Sequence, residues 1–227
     1  MKKITIAIDG YSGTGKGTTA RWVAQQLWYT YLDTGAMYRC ATLYAVRHDL
    51  LDADNKTKAG IVEKLHIEFK DIDNMQSVWL NGEHVEDQIR DTSLALQMKP
   101  IVSCVPLRQE MIALQQSFGV DWGIVCEGRD IATHVFPDAQ LKIFFICDVD
   151  TRVVRRIQQL TDQWLQVDKH KIHQEITMRD QTDYLGPNAV NKKAEDARML
   201  DTSDLTIQQQ IDQVVSRAHQ SGGDVTK

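Results

Sequence analysis

The chain has little cysteine, no long apolar run and no surplus of positive charge. Its four cysteines, Cys40, Cys104, Cys126 and Cys147, stand far apart along 227 residues. No two sit at metal-ligand spacing, so buried reduced thiols are expected. No segment is long and apolar enough to span a bilayer. Met1-Lys2-Lys3 followed by apolar residues resembles the start of a secretory leader, but Asp9 ends that run too soon, and the expected location is the cytoplasm. Lys and Arg number 26 against 31 Asp and Glu, a formal net charge of -5, which argues against a broad nucleic-acid face. Any anion site must therefore be locally basic. What is present is ordinary for a globular protein, with 42% hydrophobic and 25% charged residues. The length suits one well-buried core carrying insertions rather than two full domains.

The most informative stretch is the beginning. An apolar run, Ile4-Thr5-Ile6-Ala7-Ile8, leads into Asp9-Gly10-Tyr11-Ser12-Gly13-Thr14-Gly15-Lys16-Gly17-Thr18-Thr19, after which a helical pattern starts. Glycines allow a tight loop whose N–H groups converge, Lys16 adds a mobile cation, and the helix N-terminus adds its positive dipole end. This is a phosphate-binding loop, and polyphosphate is its natural ligand. The usual pattern places Ser or Thr directly after the lysine. Here Gly17 stands in that place and the hydroxyls of Thr18 and Thr19 come one and two residues late.

Further on, short apolar runs alternate with helical patterns. Residues 123–126, 141–146, 197–200 and 29–32 read as strands, as in a parallel sheet covered on both faces. Near the end, Thr206 and Gln209 form a capping-box pattern ahead of an apolar stripe of Ile207, Ile211, Val214 and Ala218. The tail from Gly222 onward is expected to fray. Two segments break the alternation. From about 53 to 98 the chain is polar with alternating runs at 65–69 and 78–80 and a turn at Asn81-Gly82, which predicts a small antiparallel insertion. From about 161 to 193 it is charged and poor in strand signals, which suggests a cover over a site. His170 and His173 in that cover lack a ligand set and read as a solvated helix face.

Three more groups of residues carry chemistry. Thr34 is placed to cap a helix opening at Gly35, with Arg39 one turn in. Glu127-Gly128-Arg129-Asp130 follows an apolar strand, and the carboxyl ends of parallel strands are where ligands bind in such sheets. Arg179 and Asp183, at spacing four, share a helix face within the cover.

These motifs resemble the bacterial cytidylate kinases over nearly the whole chain. The specific stretches are Leu32-Asp33-Thr34-Gly35-Ala36-Met37-Tyr38-Arg39, then Glu127-Gly128-Arg129-Asp130 running to Thr133-His134-Val135-Phe136-Pro137-Asp138-Ala139, and Glu195-Asp196-Ala197 running to Leu200-Asp201-Thr202-Ser203. The resemblance implies an α/β P-loop kinase fold with a parallel sheet of about five strands. One domain would span residues 1–227, with a small antiparallel insertion at about 53–98 on the nucleoside monophosphate side and a helical lid at about 161–193. It implies phosphoryl transfer from ATP to CMP or dCMP with magnesium, by a monomer using neither nucleic acid nor membrane. Uridylate or adenylate kinase activity, or a nucleotide-binding protein with weakened catalysis, are the alternatives.

Residue by residue, the resemblance assigns Gly10, Ser12, Gly13, Thr14, Gly15, Lys16, Gly17, Thr18 and Thr19 to the ATP phosphates, with Arg152, Arg155 and Arg156 on the ATP side of the lid. Thr34, Arg39, Arg129 and Arg179 fall on the CMP side, the three arginines on its phosphate and the transferring group. Arg108 and Asp130 would read cytosine, and Asp183 would take the sugar hydroxyls. Lys16, Arg129 and Arg179 would be catalytic; how the metal is held is left unassigned. Phosphoryl transfer needs charge neutralisation and alignment more than a strong base, and a ring of cations supplies both. Two departures stand out. The family's base-contacting serine falls by count at Pro100, with Ser103 displaced and Pro106 to Arg108 one residue short. Where the family carries a further lid arginine, this chain has Gly186 followed by Pro187, and Lys192 and Lys193 are the nearest cations.

Overall fold

The computed structural model describes residues 3–72, 75–119, 123–162, 166–186 and 191–222. The chain divides into two compact units, Met1–Leu32 with Gly119–Lys227, and Asp33–Phe118.

The first unit is built on a five-stranded parallel sheet in the order β2-β6-β1-β7-β8. Its strands are β1 (Thr5–Gly10), β2 (Thr30–Asp33), β6 (Ile124–Glu127), β7 (Leu141–Ile146) and β8 (Arg198–Asp201). All five expected strands are present, shifted by a residue or two at most ends. β1 lies central, paired in parallel with β6 and β7. Ile6, Ala7 and Ile8 are accordingly fully buried, and this explains why the strand reads as a continuous apolar run. Helix α1 (Lys16–Leu27) buries Ala20, Val23, Ala24 and Leu27, an i, i+3, i+4, i+7 set, against the sheet. Helix α10 (Ile207–Gln220) begins with the expected capping box between Thr206 and Gln209. Its buried stripe is Ile211, Val214, Val215 and Ala218 together with Gln210, while Ile207 is 38% exposed, contrary to expectation, because it occupies the first helical position, ahead of the turn that packs.

Helices α8 (Val149–Asp162) and α9 (Lys169–Asp180) pack on each other through Val153, Ile172 and Ile176, a small core separate from that of the sheet. A π-helical turn, Gln181–Leu185, follows α9. It is closed by the Gly186 N–H donating to the Gln181 carbonyl at 2.8 Å. His170 and His173 are exposed on α9. Pro187 and the tail beyond Gly222, expected to fray, lie outside the described residues.

The second unit contains the antiparallel sheet expected from the alternating runs: β3 (Ile67–Ile72), β4 (Met75–Leu80) and the short β5 (Glu83–His84). Asn81 and Gly82 both take positive φ, 52° and 84°, the two-residue turn that matches strand twist. Around it lie α2 (Thr34–Arg47), α3 (Asn55–Ala59), α4 (Glu86–Arg90), α5 (Thr92–Leu96), α6 (Lys99–Val102) and α7 (Val105–Ser117). Pro100 and Pro106 both sit in the first turn of a helix, where a missing N–H leaves no helical bond unmade.

Candidate functional site

The phosphate loop starts where β1 ends. Gly10 has φ 145°, and a Cβ there would lie 2.3 Å from the Phe145 carbonyl oxygen, so only glycine lets the chain leave β1 against β7. Gly15, at φ 89°, caps α1 and has no side chain to bond the first N–H groups of the helix. Inside the loop the Lys16 ammonium and the Thr14 hydroxyl both donate to the Tyr11 carbonyl, at 3.3 Å and 3.0 Å. The Thr202 hydroxyl donates to the Thr14 carbonyl at 2.9 Å and ties the loop to the end of β8. Thr18 is exposed, whereas Thr19 is fully buried and its hydroxyl donates to Gln210 of α10. A side chain at Gly17 would begin 3.4 Å from a Glu127 carboxylate oxygen. The missing hydroxyl of the usual pattern is thus faced by an oxygen donor from the end of β6.

One electrostatic field joins this loop to the arginines. Burial pulls the Lys16 amine down to about 8; the positive charges of Arg129 and Arg179 add to that, and Glu127 and Asp9 oppose it. Asp9 was not anticipated as a site residue. It is 2% exposed and accepts from the Ile131 and Ala132 N–H groups at 2.9 and 2.8 Å. Burial pushes its carboxyl up to about 6 against those two bonds, with Asp130 pushing the same way. Asp9 thereby fixes the π-helical turn Ile131–Val135 and the two residues before it, Arg129 and Asp130, above the strand ends. The only sequence signal for it was a carboxylate at the end of an apolar strand.

Arg129 forms an ion pair with Asp183 of the π-helical turn, and the Tyr184 hydroxyl donates to the Arg129 carbonyl at 2.7 Å. Arg179 is exposed in the last turn of α9. Between Arg179 and Asp183 the backbone passes from α to π, at Gln181. Asp130 carries His134 3.9 Å from its carboxylate. Arg152 is 2% exposed. Its guanidinium donates to the Ser12 carbonyl of the loop, to the Cys147 carbonyl and, at two points, to Asp180. Arg155 donates to the carbonyls of Thr202, Ser203 and Leu205, and Arg156 to Gln159. Lys193 donates to the carbonyls of Ala194 and Ala197.

In the second unit the cap of α2 is Asp33 rather than Thr34, since Asp33 accepts from the Ala36 N–H at 2.8 Å; Thr34 is the first helical residue and is buried. Arg90 holds Asp33 at 2.9 Å and Glu86 at 2.8 Å, and burial lifts the nearby Cys40 thiol to about 12. Arg39, one turn into α2, donates to the Ile89 carbonyl at 3.2 Å. Arg108 lies in the first turn of α7, partly buried. The Ser103 hydroxyl is turned to the Lys99 carbonyl at 2.7 Å. Among the described residues no group of three or more His, Cys, Asp or Glu is placed to hold a metal, and no helix is long and apolar enough to cross a membrane.

Residues 6–220 match the family described as cytidylate kinase. A cytidylate kinase of Cytophaga hutchinsonii is 39% identical over 220 residues, 96% of this chain and 94% of the relative. One of Bacteroides fragilis is 41% identical, covering 92% and 94%, and one of Bacillus cereus 38%, covering 95% and 96%. A solved structure of an uncharacterized protein from Eubacterium ventriosum shares the fold alone, with a TM-score of 0.53 at 13% identity over 96% of this chain and 99% of that one. A match over almost the entire length, at 38 to 41% identity to these relatives, makes this chain a member of the cytidylate kinase family.

Proposed function

We propose that the chain transfers the γ-phosphoryl group of ATP to CMP, and to dCMP, giving CDP and dCDP. The observation that carries this reading is the phosphate loop with Lys16, opening at the end of the central strand of a parallel sheet, in a chain whose residues 6–220 match the cytidylate kinase family. Phosphoryl transfer demands cations where charge develops, and Lys16, Arg129 and Arg179 are the residues we assign to that task. The N–H groups from Ser12 to Thr18 cradle the ATP phosphates, and Lys16 bridges toward the transferring group. Gly17 admits close approach of phosphate, and Thr19 supports the loop through Gln210. Arg156 serves the ATP side directly. Arg152 and Arg155 serve it by fixing the loop and the chain after β8. Arg129 and Arg179 take the CMP phosphate side; Thr34 and Arg39 are assigned to CMP by the family resemblance. Asp183 accepts from the sugar hydroxyls. Asp130 accepts from the exocyclic amine of cytosine while Arg108 donates to the ring; uracil presents a carbonyl where cytosine has the amine.

Magnesium fits the residues present: Glu127 offers a hard oxygen beside Gly17 and Thr18 an exposed hydroxyl, and such a site needs few protein ligands. When bound, it neutralises charge on the ATP phosphates. The chain acts in the cytoplasm, a reading supported by its four free, buried cysteines, and we take it to act as a monomer. The test is chromatography of products after incubation with ATP and CMP, dCMP, UMP or AMP. CDP and dCDP are expected to form fastest; faster formation of UDP or ADP from its own monophosphate overturns the assignment.

A further inference from the structure

Tyr11, within the phosphate loop, and Tyr184, at the end of the lid, are 173 positions apart in sequence and meet edge to face, with ring centroids 5.4 Å apart and planes at 88°. Phe144 of β7 completes the group, 5.6 Å from Tyr11 and 5.1 Å from Tyr184, again edge on. Three mutually perpendicular aromatic contacts are the preferred geometry for such rings and resist rotation of any one of them. The guanidinium of Arg152 covers Tyr11 at 5.3 Å. The Tyr184 hydroxyl donates to the Arg129 carbonyl. The neighbouring Asp183 is paired with the Arg129 side chain and has its own carbonyl held by the Asn191 N–H at 3.0 Å. The turn carrying both residues is closed by the Gly186 to Gln181 bond, where a Cβ at Gly186 would meet the Gln181 oxygen at 2.6 Å. The side chain that the family's further lid arginine would need is thus refused at this point of the backbone.

We propose that Tyr184 is a positioning residue for CMP: its ring, lodged against Tyr11 and Phe144, holds Asp183 and Arg129 in the orientation that receives the sugar and phosphate, and this preorganisation offsets the absent lid arginine. The proposal rests on the assignment of Asp183 and Arg129 to CMP. A small displacement of binding groups is costly in such a reaction, so losing the ring acts on substrate capture. The ring carries most of this, through its edge-on contacts with Tyr11 and Phe144, while the hydroxyl adds bonds to the Arg129 carbonyl and to the Gly10 backbone.

The test combines kinetics with amide hydrogen exchange on Tyr184→Leu, Tyr184→Phe and Asp183→Asn. For Tyr184→Leu the account expects the KM for CMP to rise about tenfold, with kcat and the KM for ATP changed by less than about threefold. Exchange at 181–186 should quicken while that of α9 does not, and Tyr184→Phe should restore most of the wild-type behaviour. A purely structural role would lower the active fraction, hence kcat, and leave KM alone. An unchanged KM for CMP in Tyr184→Leu, unchanged exchange at 181–186, or a Phe variant as impaired as the Leu variant overturns the proposal. If Asp183→Asn raises the KM for CMP and Tyr184→Leu does not, the positioning role alone fails. If Asp183→Asn leaves that KM unchanged, the assignment of Asp183 fails and the positioning role with it.

Discussion

Arg152 and Asp180 form a two-point ion pair, at 2.9 and 2.6 Å, buried between α8 and the end of α9. The same guanidinium reaches the Ser12 carbonyl at 3.1 Å, so a single side chain joins the phosphate loop to the root of the lid turn. Removing one partner of a buried pair strands the other charge away from water. Asp180→Asn is therefore expected to cost about 3 to 5 kcal/mol, while replacing both residues with apolar ones costs less. Thermal unfolding checks this: the melting temperature of Asp180→Asn should fall by about 10 °C, and the Arg152→Met, Asp180→Leu double variant should recover part of the loss. A melting temperature within about 1 °C of wild type would contradict the role given to the pair.

Lys16 carries a pH signature. Its amine has an ordinary value of 10.5 and is held at about 8 in the fold by burial and by neighbouring arginines. Below pH 8 the amine is charged in both folded and unfolded chains, and the fold bears the full penalty; between about 8 and 10.5 the unfolded chain binds more protons, so stability rises with pH. A shift of that size corresponds to roughly 3 kcal/mol as an upper bound. Without nucleotide, Lys16→Met is expected to be more stable than wild type at pH 7, with the difference closing near pH 10. Denaturant unfolding at several pH values measures it, and a difference independent of pH would contradict the cause assigned.

Asp130 should govern base choice. In Asp130→Asn the amide presents a donor as readily as an acceptor, so the preference for CMP over UMP should shrink by roughly tenfold or more, matching a polar mismatch of about 1 to 3 kcal/mol. Specificity constants for both monophosphates decide the matter. An unchanged ratio moves Asp130 to another role, such as orienting Arg129.

Gly186→Arg puts back the cation that the family usually carries, yet its Cβ would begin 2.6 Å from a backbone oxygen. The expected result is a loss of about 1 to 3 kcal/mol of stability and no gain in CMP affinity. A variant with unchanged melting temperature and a lower KM for CMP would show that the turn yields easily.

Local signals in the sequence were read well. The apolar run at 141–146 became β7 with the same bounds, and the Thr206 and Gln209 pattern became a capping box, because both depend on residues within a few positions of one another. The Asn81-Gly82 turn likewise carries its own φ requirement. What stayed hidden depends on distant partners. Nothing near Asp9 announces that its carboxylate will bond the backbone 122 and 123 residues later, and nothing near Arg152 distinguishes a helix-face arginine from one buried on Asp180. Thr34 misled for a different reason: Asp33 and Thr34 are both good caps, and the choice depends on which side chain the first turn of α2 receives.

If this phosphate loop drives phosphoryl transfer to CMP through Lys16, turnover must depend on both CMP and that lysine. A coupled ADP-release assay with ATP, magnesium and CMP, run on wild type and Lys16→Ala, tests it most directly. ADP release is expected to depend on CMP in the wild type and to fall by at least about a hundredfold in Lys16→Ala, whose fold stays intact. ADP release that ignores CMP, or a Lys16→Ala rate within about threefold of wild type, would contradict it.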